Sequence, residues 1–426
     1  MTDLNRRDKK PQKGYVMDTI VERCCGLDVH KDTVVACIAT PKEGGRNREV
    51  RTFGTTTNEL LALSDWIVAK KVTLVGMEST SVYWKPIYYI LEDVCECWLL
   101  NARHLRNVPG RKTDVKDSTW ICSLLEHGLV RPSFVPPKEI RELRTLTRYR
   151  KAQIDERSRE AQRLDKVLQD AGIKLSSYAT DILGKSGRAI LNALVEGEED
   201  PKVLSELALG KLRSKINSLE LALAGKFSKH HALVVGQILT KIDFMDEAIS
   251  KLSEDIDELI SPFLEKIELL TTIPGVAKRT AECLVAEIGL DMERFKDAGH
   301  LSSWAGMCPG NHESAGKRKS GKSQKGSKWI SIALTEAASA AGRTKSTYLG
   351  AQHHRLTSRI GYAKANKAVG HSILVSAYHI LVNNEPYKDL GMDYFLKRKP
   401  DSHAKRLAKQ IEALGYTVTL TESEVA

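Results

Sequence analysis

Cys24-Cys25-Gly26-Leu27-Asp28-Val29 is an apolar run that meets a carboxylate near its end. Six residues of this kind suit a buried strand whose last turn reaches solvent. Working outward, Thr33–Thr40 and Glu49–Phe53 read as two more strands joined by short polar turns. Thr57–Lys70 reads as a helix, with Leu60, Leu61, Leu63, Ile67 and Val68 near helical spacing. Val72–Met77 is again apolar and again ends on an acid, Glu78. Tyr83–Glu92 then reads as a helix with Pro86 in its first turn, and Cys95–Leu100 as a fifth strand.

Three strands, a helix, a strand, a helix and a strand is the element order of ribonuclease-H-like folds. An α/β ribonuclease-H-like domain is therefore expected over 21–135, after a basic, disordered lead-in at 1–20. Pro132, Pro136 and Pro137 punctuate its end. A helical region is expected over 136–264, first a charged stretch from Glu139 to Ala171, then a run from Pro201 to Ile260. Leu219, Leu221, Leu223, Val234, Ile238, Ile242, Met245, Ile249, Leu252, Ile256 and Leu259 supply that run with an apolar stripe, its later members three and four apart. Such a stripe suits a coiled-coil arm or helical hairpin, hence self-association, and equally the core of an ordinary bundle. A mainly α domain is expected over 265–395, with a peripheral tail at 396–426.

The chemistry starts from the acids. Asp28 and Glu78 would lie at neighbouring strand ends, and Asp114 and Asp117 are three apart, on one face of a helix turn. Carboxylates that converge must bind a cation or take up a proton, because their repulsion is otherwise uncompensated. A divalent-metal nuclease needs that arrangement, since its cations stabilise both the attacking and leaving phosphate oxygens. Acids at strand ends also start turns and cap helices, so convergence of all four is what separates the readings.

Charge points the same way. The 426-residue chain carries a formal net charge of +11, which suits an anionic partner such as nucleic acid. Glu313–Lys328 holds Lys317, Arg318, Lys319, Lys322, Lys325 and Lys328 among glycines and serines, and reads as a flexible cationic loop for a phosphate backbone. Any of its serines has the chemistry of a nucleophile, and spacing alone selects none. Gly316–Ser323 formally matches a phosphate-binding loop of nucleotidases, but no strand precedes it and Gly326 interrupts an early helix, which weighs against an ATP site. Leu269–Ile288 reads as a helix-hairpin-helix in which Pro274 and Gly275 precede a helix N-terminus suited to a phosphate oxygen. His230/His231 and His353/His354 read as surface pairs too divergent on a helix to share a metal, and Trp304 as a core anchor.

The eight cysteines form no C-x-x-C pair and read as reduced, buried thiols of a cytosolic protein. No apolar run approaches the ~20 residues of a membrane span, and no signal peptide is expected.

Taken together, Gly26-Leu27-Asp28-Val29-His30-Lys31, Met77-Glu78-Ser79-Thr80-Ser81 with Tyr83, and Lys112-Thr113-Asp114-Val115-Lys116-Asp117 resemble the DEDD transposases of bacterial insertion sequences, the group typified by insertion sequence 110. Thr272-Ile273-Pro274-Gly275-Val276, Phe295, Leu301, Trp304-Ala305-Gly306, Pro309-Gly310, Glu313-Ser314-Ala315-Gly316 and Lys325-Gly326-Ser327-Lys328 carry the resemblance through the second half. It implies a RuvC-like domain joined through a coiled coil to a second transposase domain. It further implies that Asp28, Glu78, Asp114 and Asp117 bind Mg2+ and that a serine makes a covalent link to DNA. Ser314 matches that serine best, and Ser320, which directly precedes a glycine, is the other choice. Implied partners are element-end and target DNA, a guide RNA from the element, and further copies of the chain as a dimer or tetramer, in the bacterial cytoplasm at the nucleoid. Two alternatives stand beside a recombinase: a metal-dependent endonuclease or junction resolvase using water, and a non-catalytic nucleic-acid-binding protein.

Overall fold

The computed structural model describes residues 19–79, 81–108, 117–310, 312–321, 323, 325–398 and 400–421. The expected lead-in to residue 18, Asp114 and Lys322 lie outside these residues. The chain divides into two compact units, Met1–Val135 and Pro136–Ala426.

The first unit is a five-stranded mixed sheet covered by helices on both faces. Its strands are β1 (Cys24–Val29), β2 (Thr33–Lys42), β3 (Gly45–Gly54), β4 (Leu74–Glu78) and β5 (Glu96–Leu100), in the order β3-β2-β1-β4-β5. The first three are antiparallel, whereas β1–β4 and β4–β5 are parallel. Helices α1 (Thr57–Ala69) and α2 (Trp84–Leu91) supply the two crossovers, with α3 (Ala102–Asn107) and α4 (Asp117–Glu126) following β5. Alternation along the strands sorts the two faces. Cys25, Leu27, Val34, Ala36, Ile38, Val75 and Met77 pack on Leu60, Leu63 and Ile67 of α1 and on Ile87 and Leu91 of α2. Cys24, Cys37, Ala39 and Leu74 pack on Ile121, Cys122, Leu124 and Leu125 of α4. Each fully buried Leu or Ile here contributes about 1.5–3 kcal/mol.

The third strand begins four residues earlier than its apolar content predicts. Gly45–Arg48 pairs with Ala39–Lys42 around a turn at Glu43-Gly44, where Gly44 takes φ +72°. These residues lie on an edge strand facing water, so pairing alone makes them strand and hydrophobicity gives no sign of it.

Among its described residues the second unit is helical apart from one hairpin. Its spine is α5 (Lys138–Asp170), which runs antiparallel to a later helix, Lys229–Ile260. Between them come α6 (Lys185–Glu196), α7 (Pro201–Glu206) and α8 (Ile216–Leu223), so the Lys229–Ile260 helix is α9. Arg157 pairs with Asp246 and Lys241 with Glu160 along the spine. Two cores occupy its ends. Leu164 and Leu168 of α5 and Val235, Ile238, Leu239 and Ile242 of α9 pack with α6–α8. Ile140, Leu143, Ile256 and Ile260 pack at the other end with the helices that follow. Those are α10 (Leu264–Thr271), α11 (Lys278–Ile288), α12 (Ala298–Trp304), α13 (Lys328–Ala341), α14 (Tyr348–Ile360) and α15 (Tyr362–Asn383). Strands β6 (His312–Ser314) and β7 (Lys317–Ser320) lie between α12 and α13, and short α16 (Tyr394–Lys397) and α17 (Pro400–Glu412) close the chain.

Three expectations are corrected here. The run from Pro201 to Ile260 is not one helix: a 3-10 turn at Gly210–Lys215 and the break at Ala224–Ser228 divide it. Leu221, placed on its stripe, is 81% exposed. Trp304 is no core anchor, since more than a third of its surface is open, although its ring lies 5.6 Å from that of Phe295. His231 and His353 are buried, so only His230 and His354 are surface residues.

Candidate active site

Asp28 and Glu78 are brought side by side by strand register. Parallel β1 and β4 pair Gly26 with Gly76 and Leu27 with Met77, so each acid follows the last paired residue of its strand. Leu27 and Met77 point into the core under α1 and α2, which turns Asp28 and Glu78 to the opposite face, under α4. Both acids are half-buried. His30 reaches back to Asp28, with Nε2 3.2 Å from Oδ2. It holds the carboxylate from the solvent side, a role that a histidine two residues past a strand-end acid makes legible.

The third acid comes from α4. At Gly26 a Cβ would overlap the backbone oxygen of Ser118 and the backbone nitrogen of Cys122. Only a glycine lets the first turn of α4 pass this close to β1. Gly76 receives the side chain of Leu125, with a methyl carbon 2.7 Å from where a Cβ would sit. These two clearances register α4 against the sheet, and Asp117, its first residue, stands immediately before Ser118. The acidic end of the sheet thus gathers Asp28, Glu78 and Asp117, all partly exposed. Their oxygens do not all fall within 4.8 Å of one another. The donors are hard carboxylate oxygens, the ligand type that Mg2+ takes, and Mg2+ keeps several waters in its shell. The donor set therefore fits that cation, with Asp114 unplaced.

Beneath α4 the thiols of Cys24 and Cys122 lie 3.8 Å apart. The hydrogen bond with the Cys24 thiol, and burial after it, pushes the Cys122 thiol up to about 12, so this layer acts as small apolar packing. Glu126, buried at the far end of α4, accepts from Arg48 Nη2 at 2.7 Å and forms an ion pair with Arg46 Nε at 2.7 Å. That double pairing ties α4 to β3.

In the second unit the expected flexible loop is partly a β-hairpin. Ser314 pairs with Lys317 across Ala315-Gly316, whose φ angles are +51° and +72°. A two-residue turn with both φ positive matches the right-handed twist of the strands it joins. Ser314 ends β6 beside that turn, and Lys317, Arg318 and Lys319 belong to β7. Lys325 and Lys328 are exposed beyond it.

The next motif, beyond the hairpin, is docked on the residues that follow α12. Gly326 abuts the backbone of Ala305 and Gly306 so closely that a Cβ would overlap it. Ser327 caps α13 by accepting from the Ile330 N–H, and donates to Glu287 Oε2 at 3.0 Å. Glu287 is fully buried and takes a two-pronged bond from Arg148, at 2.6 and 2.9 Å. Sequence reading missed both: Glu287 is a lone charge inside an apolar run, and Arg148 is one of many cations in a charged helix.

At the other expected contact, Gly275 takes φ +88° and abuts the backbone of α13 at Ala337 and Ala341. Close helix packing accounts for that glycine. The exposed Lys278 and Arg279 of the first turn of α11 are the cations beside it, and Lys278 pairs with Asp257 at 2.6 Å.

Comparison with known proteins joins these two regions. Residues 25–173 match a family model of DEDD transposases of the IS110 type, and residues 267–354 match a model described as the transposase IS116/IS110/IS902 family. Together they cover more than half of the chain. It is also 41% identical over 71 residues to pilin gene-inverting proteins of Moraxella bovis and Moraxella lacunata. Each match spans 16% of this chain and 22% of the relative, about a fifth of the relative's length.

Proposed function

We propose, from the premise that this chain belongs to the IS110 family of transposases, that it is a recombinase that cuts and rejoins DNA. One observation carries the reading: register and the Gly26 clearance bring Asp28, Glu78 and Asp117 to one end of the sheet. The strand order β3-β2-β1-β4-β5, antiparallel then parallel, supports a ribonuclease-H-like, RuvC-like fold for the first unit.

Asp28, Glu78 and Asp117, with Asp114, would hold Mg2+. When bound, the cation supplies Lewis-acid stabilisation of charge on phosphate oxygens. His30 keeps Asp28 oriented. Ser314 is the proposed nucleophile: its Oγ bonds to phosphorus, a deoxyribose oxygen leaves with a proton, and a phosphoserine ester joins protein to DNA. Lys317, Arg318, Lys319, Lys322, Lys325 and Lys328, with Pro274 and Gly275, are the proposed contacts to the nucleic-acid backbone. The antiparallel α5–α9 spine supports a coiled-coil arm. Exposed Leu233 and Phe244 on α9 support assembly of several chains through it. A guide RNA and a place at the nucleoid belong to this proposal through the family alone.

The test is denaturing-gel analysis of the protein with element-end DNA, Mg2+ and co-purified RNA. A labelled band at protein size, absent in Ser314→Ala, is expected. Cut DNA with no adduct from either protein would instead assign a nuclease that uses water.

A further inference from the structure

The end of the spine that carries α6–α8 holds a second cluster of metal-ligating side chains, in the second unit. Asp170 is the last residue of α5, and His230 and His231 are the second and third residues of α9. One ligand atom from each lies within 4.8 Å of the other two, the only such trio of Asp, Glu, His and Cys among the described residues. His231 Nε2 is 3.2 Å from Asp170 Oδ2. The two imidazole rings lie with centroids 3.9 Å apart and planes at 40°. Helical geometry alone would send adjacent side chains about 100° apart. Here Ser228 draws both rings together: its Oγ is 2.7 Å from Nδ1 of His230 and 2.9 Å from Nδ1 of His231.

We propose that Asp170, His230 and His231 form a binding site for a borderline divalent transition metal such as Zn2+. The donor chemistry selects the metal. Two imidazole nitrogens and one carboxylate suit Zn2+, Ni2+ or Co2+, whereas Mg2+ prefers oxygen alone. Ligating histidines need the other ring nitrogen fixed by a hydrogen bond. With an ion at His231 Nε2, Ser228 Oγ takes the His231 Nδ1–H on one lone pair while the other keeps the α9 cap from the His231 backbone N–H, and its closeness to His230 Nδ1 holds the second ring beside the first. Without metal the balance differs at one proton. The Ser228 backbone N–H donates to His231 Nδ1 at 3.1 Å, which puts the His231 proton on Nε2, facing Asp170. Metal binding moves that proton to Nδ1, and the exposed Ser228 N–H passes to water. An ion here would clamp the C-terminal end of α5 to the N-terminal end of α9. It would be a structural metal, separate in chemistry from the acids of the first unit.

The experiment titrates chelator-stripped full-length protein with Co2+, with Zn2+ in competition. A nitrogen and oxygen site gives visible ligand-field bands without the thiolate charge-transfer absorption that cysteine ligands add. We expect one Co2+ per chain, displaced by Zn2+ and retained in excess Mg2+. His230→Ala and Asp170→Asn should each weaken it at least about tenfold, and Ser228→Ala about tenfold through the lost orientation of the rings. Asp117→Asn should leave the spectrum unchanged. Zn2+ should also raise the unfolding temperature of the wild type and not of His230→Ala, a difference that unequal folding of the variants does not mimic. Equal Co2+ affinity in wild type, His230→Ala and Asp170→Asn overturns the site. So does a spectrum carrying thiolate charge transfer, which would assign the ion to cysteines, or the absence of any bound Co2+, which leaves the trio a helix cap.

Discussion

The acidic end of the sheet and the Ser314 hairpin reach their positions by opposite means. Asp28, Glu78 and Asp117 sit on elements whose other faces are buried, and α4 is registered by Gly26 and Gly76. Any shift of α4 along β1 forces backbone atoms together, so the site inherits the rigidity of the core. The hairpin has two short strands joined by a two-residue turn, and a pair of strands alone is marginally stable. The segment that follows it is the docked one, with Gly326 against Ala305 and Gly306 and Ser327 bonded to Glu287. The difference teaches that groups which must converge against mutual repulsion are held by packing. Ser314, the proposed nucleophile, is instead carried on a hairpin with little packing of its own.

Removing chemistry at either place should have the largest effect. Asp28→Asn, Glu78→Gln or Asp117→Asn is expected to cut strand-cleavage rates at least about a hundredfold while DNA binding persists. Single-turnover cleavage beside a filter-binding measurement checks this, and a variant that cleaves normally would break the proposed parity of the three acids. Gly26→Ala should come next. Its methyl meets backbone rather than a yielding side chain, so it should destabilise the first unit by about 1–3 kcal/mol and displace Asp117. Gly76→Ala meets only the end of Leu125 and should cost less. Denaturant titration of the pair reads the order directly, and equal losses would mean that α4 is not registered by the Gly26 contact.

The central strands β1 and β4 were legible because they are short, apolar and punctuated, and because each carries an acid at or near its end. Asp28 and Glu78 could be paired from that alone. What sequence could not supply was the fit of α4: a glycine inside a strand reads as a weak strand former until its neighbour is known. The hairpin escaped for a different reason. Lys317–Ser320 has no apolar alternation, and its strand character comes from the turn at Ala315-Gly316, where one residue is not the usual glycine or asparagine. His230 and His231 escaped because their convergence depends on Ser228, a side chain that ordinary helix geometry does not include.

Ser327→Ala tests the docked segment that follows the hairpin. It removes the cap of α13 and one hydrogen bond to buried Glu287, while Arg148 keeps both its bonds to that carboxylate. A loss of about 1 kcal/mol is expected, the usual worth of a cap. Adduct formation should fall more steeply than stability if docking of that segment positions the hairpin. Parallel falls would make Ser327 a helix cap and nothing more.

The smallest effect is expected at the hairpin turn, and it should have the opposite sign. Ala315 holds φ +51°, a left-handed conformation that costs a residue with a Cβ about 1–2 kcal/mol and costs glycine almost nothing. Ala315→Gly should therefore release that strain in the folded hairpin. Glycine also has more freedom to lose on folding, by roughly 0.5–1 kcal/mol, so the net gain should be about 0.5–1 kcal/mol. Amide exchange across β6 and β7 measures it locally, where a change this small is not lost in the unfolding of the whole unit. Slower exchange in Ala315→Gly would show that the turn, rather than contacts with the rest of the unit, sets the hairpin's stability. Unchanged exchange would place that control at Gly326 and Ser327 and make the hairpin as dependent on packing as the acids are.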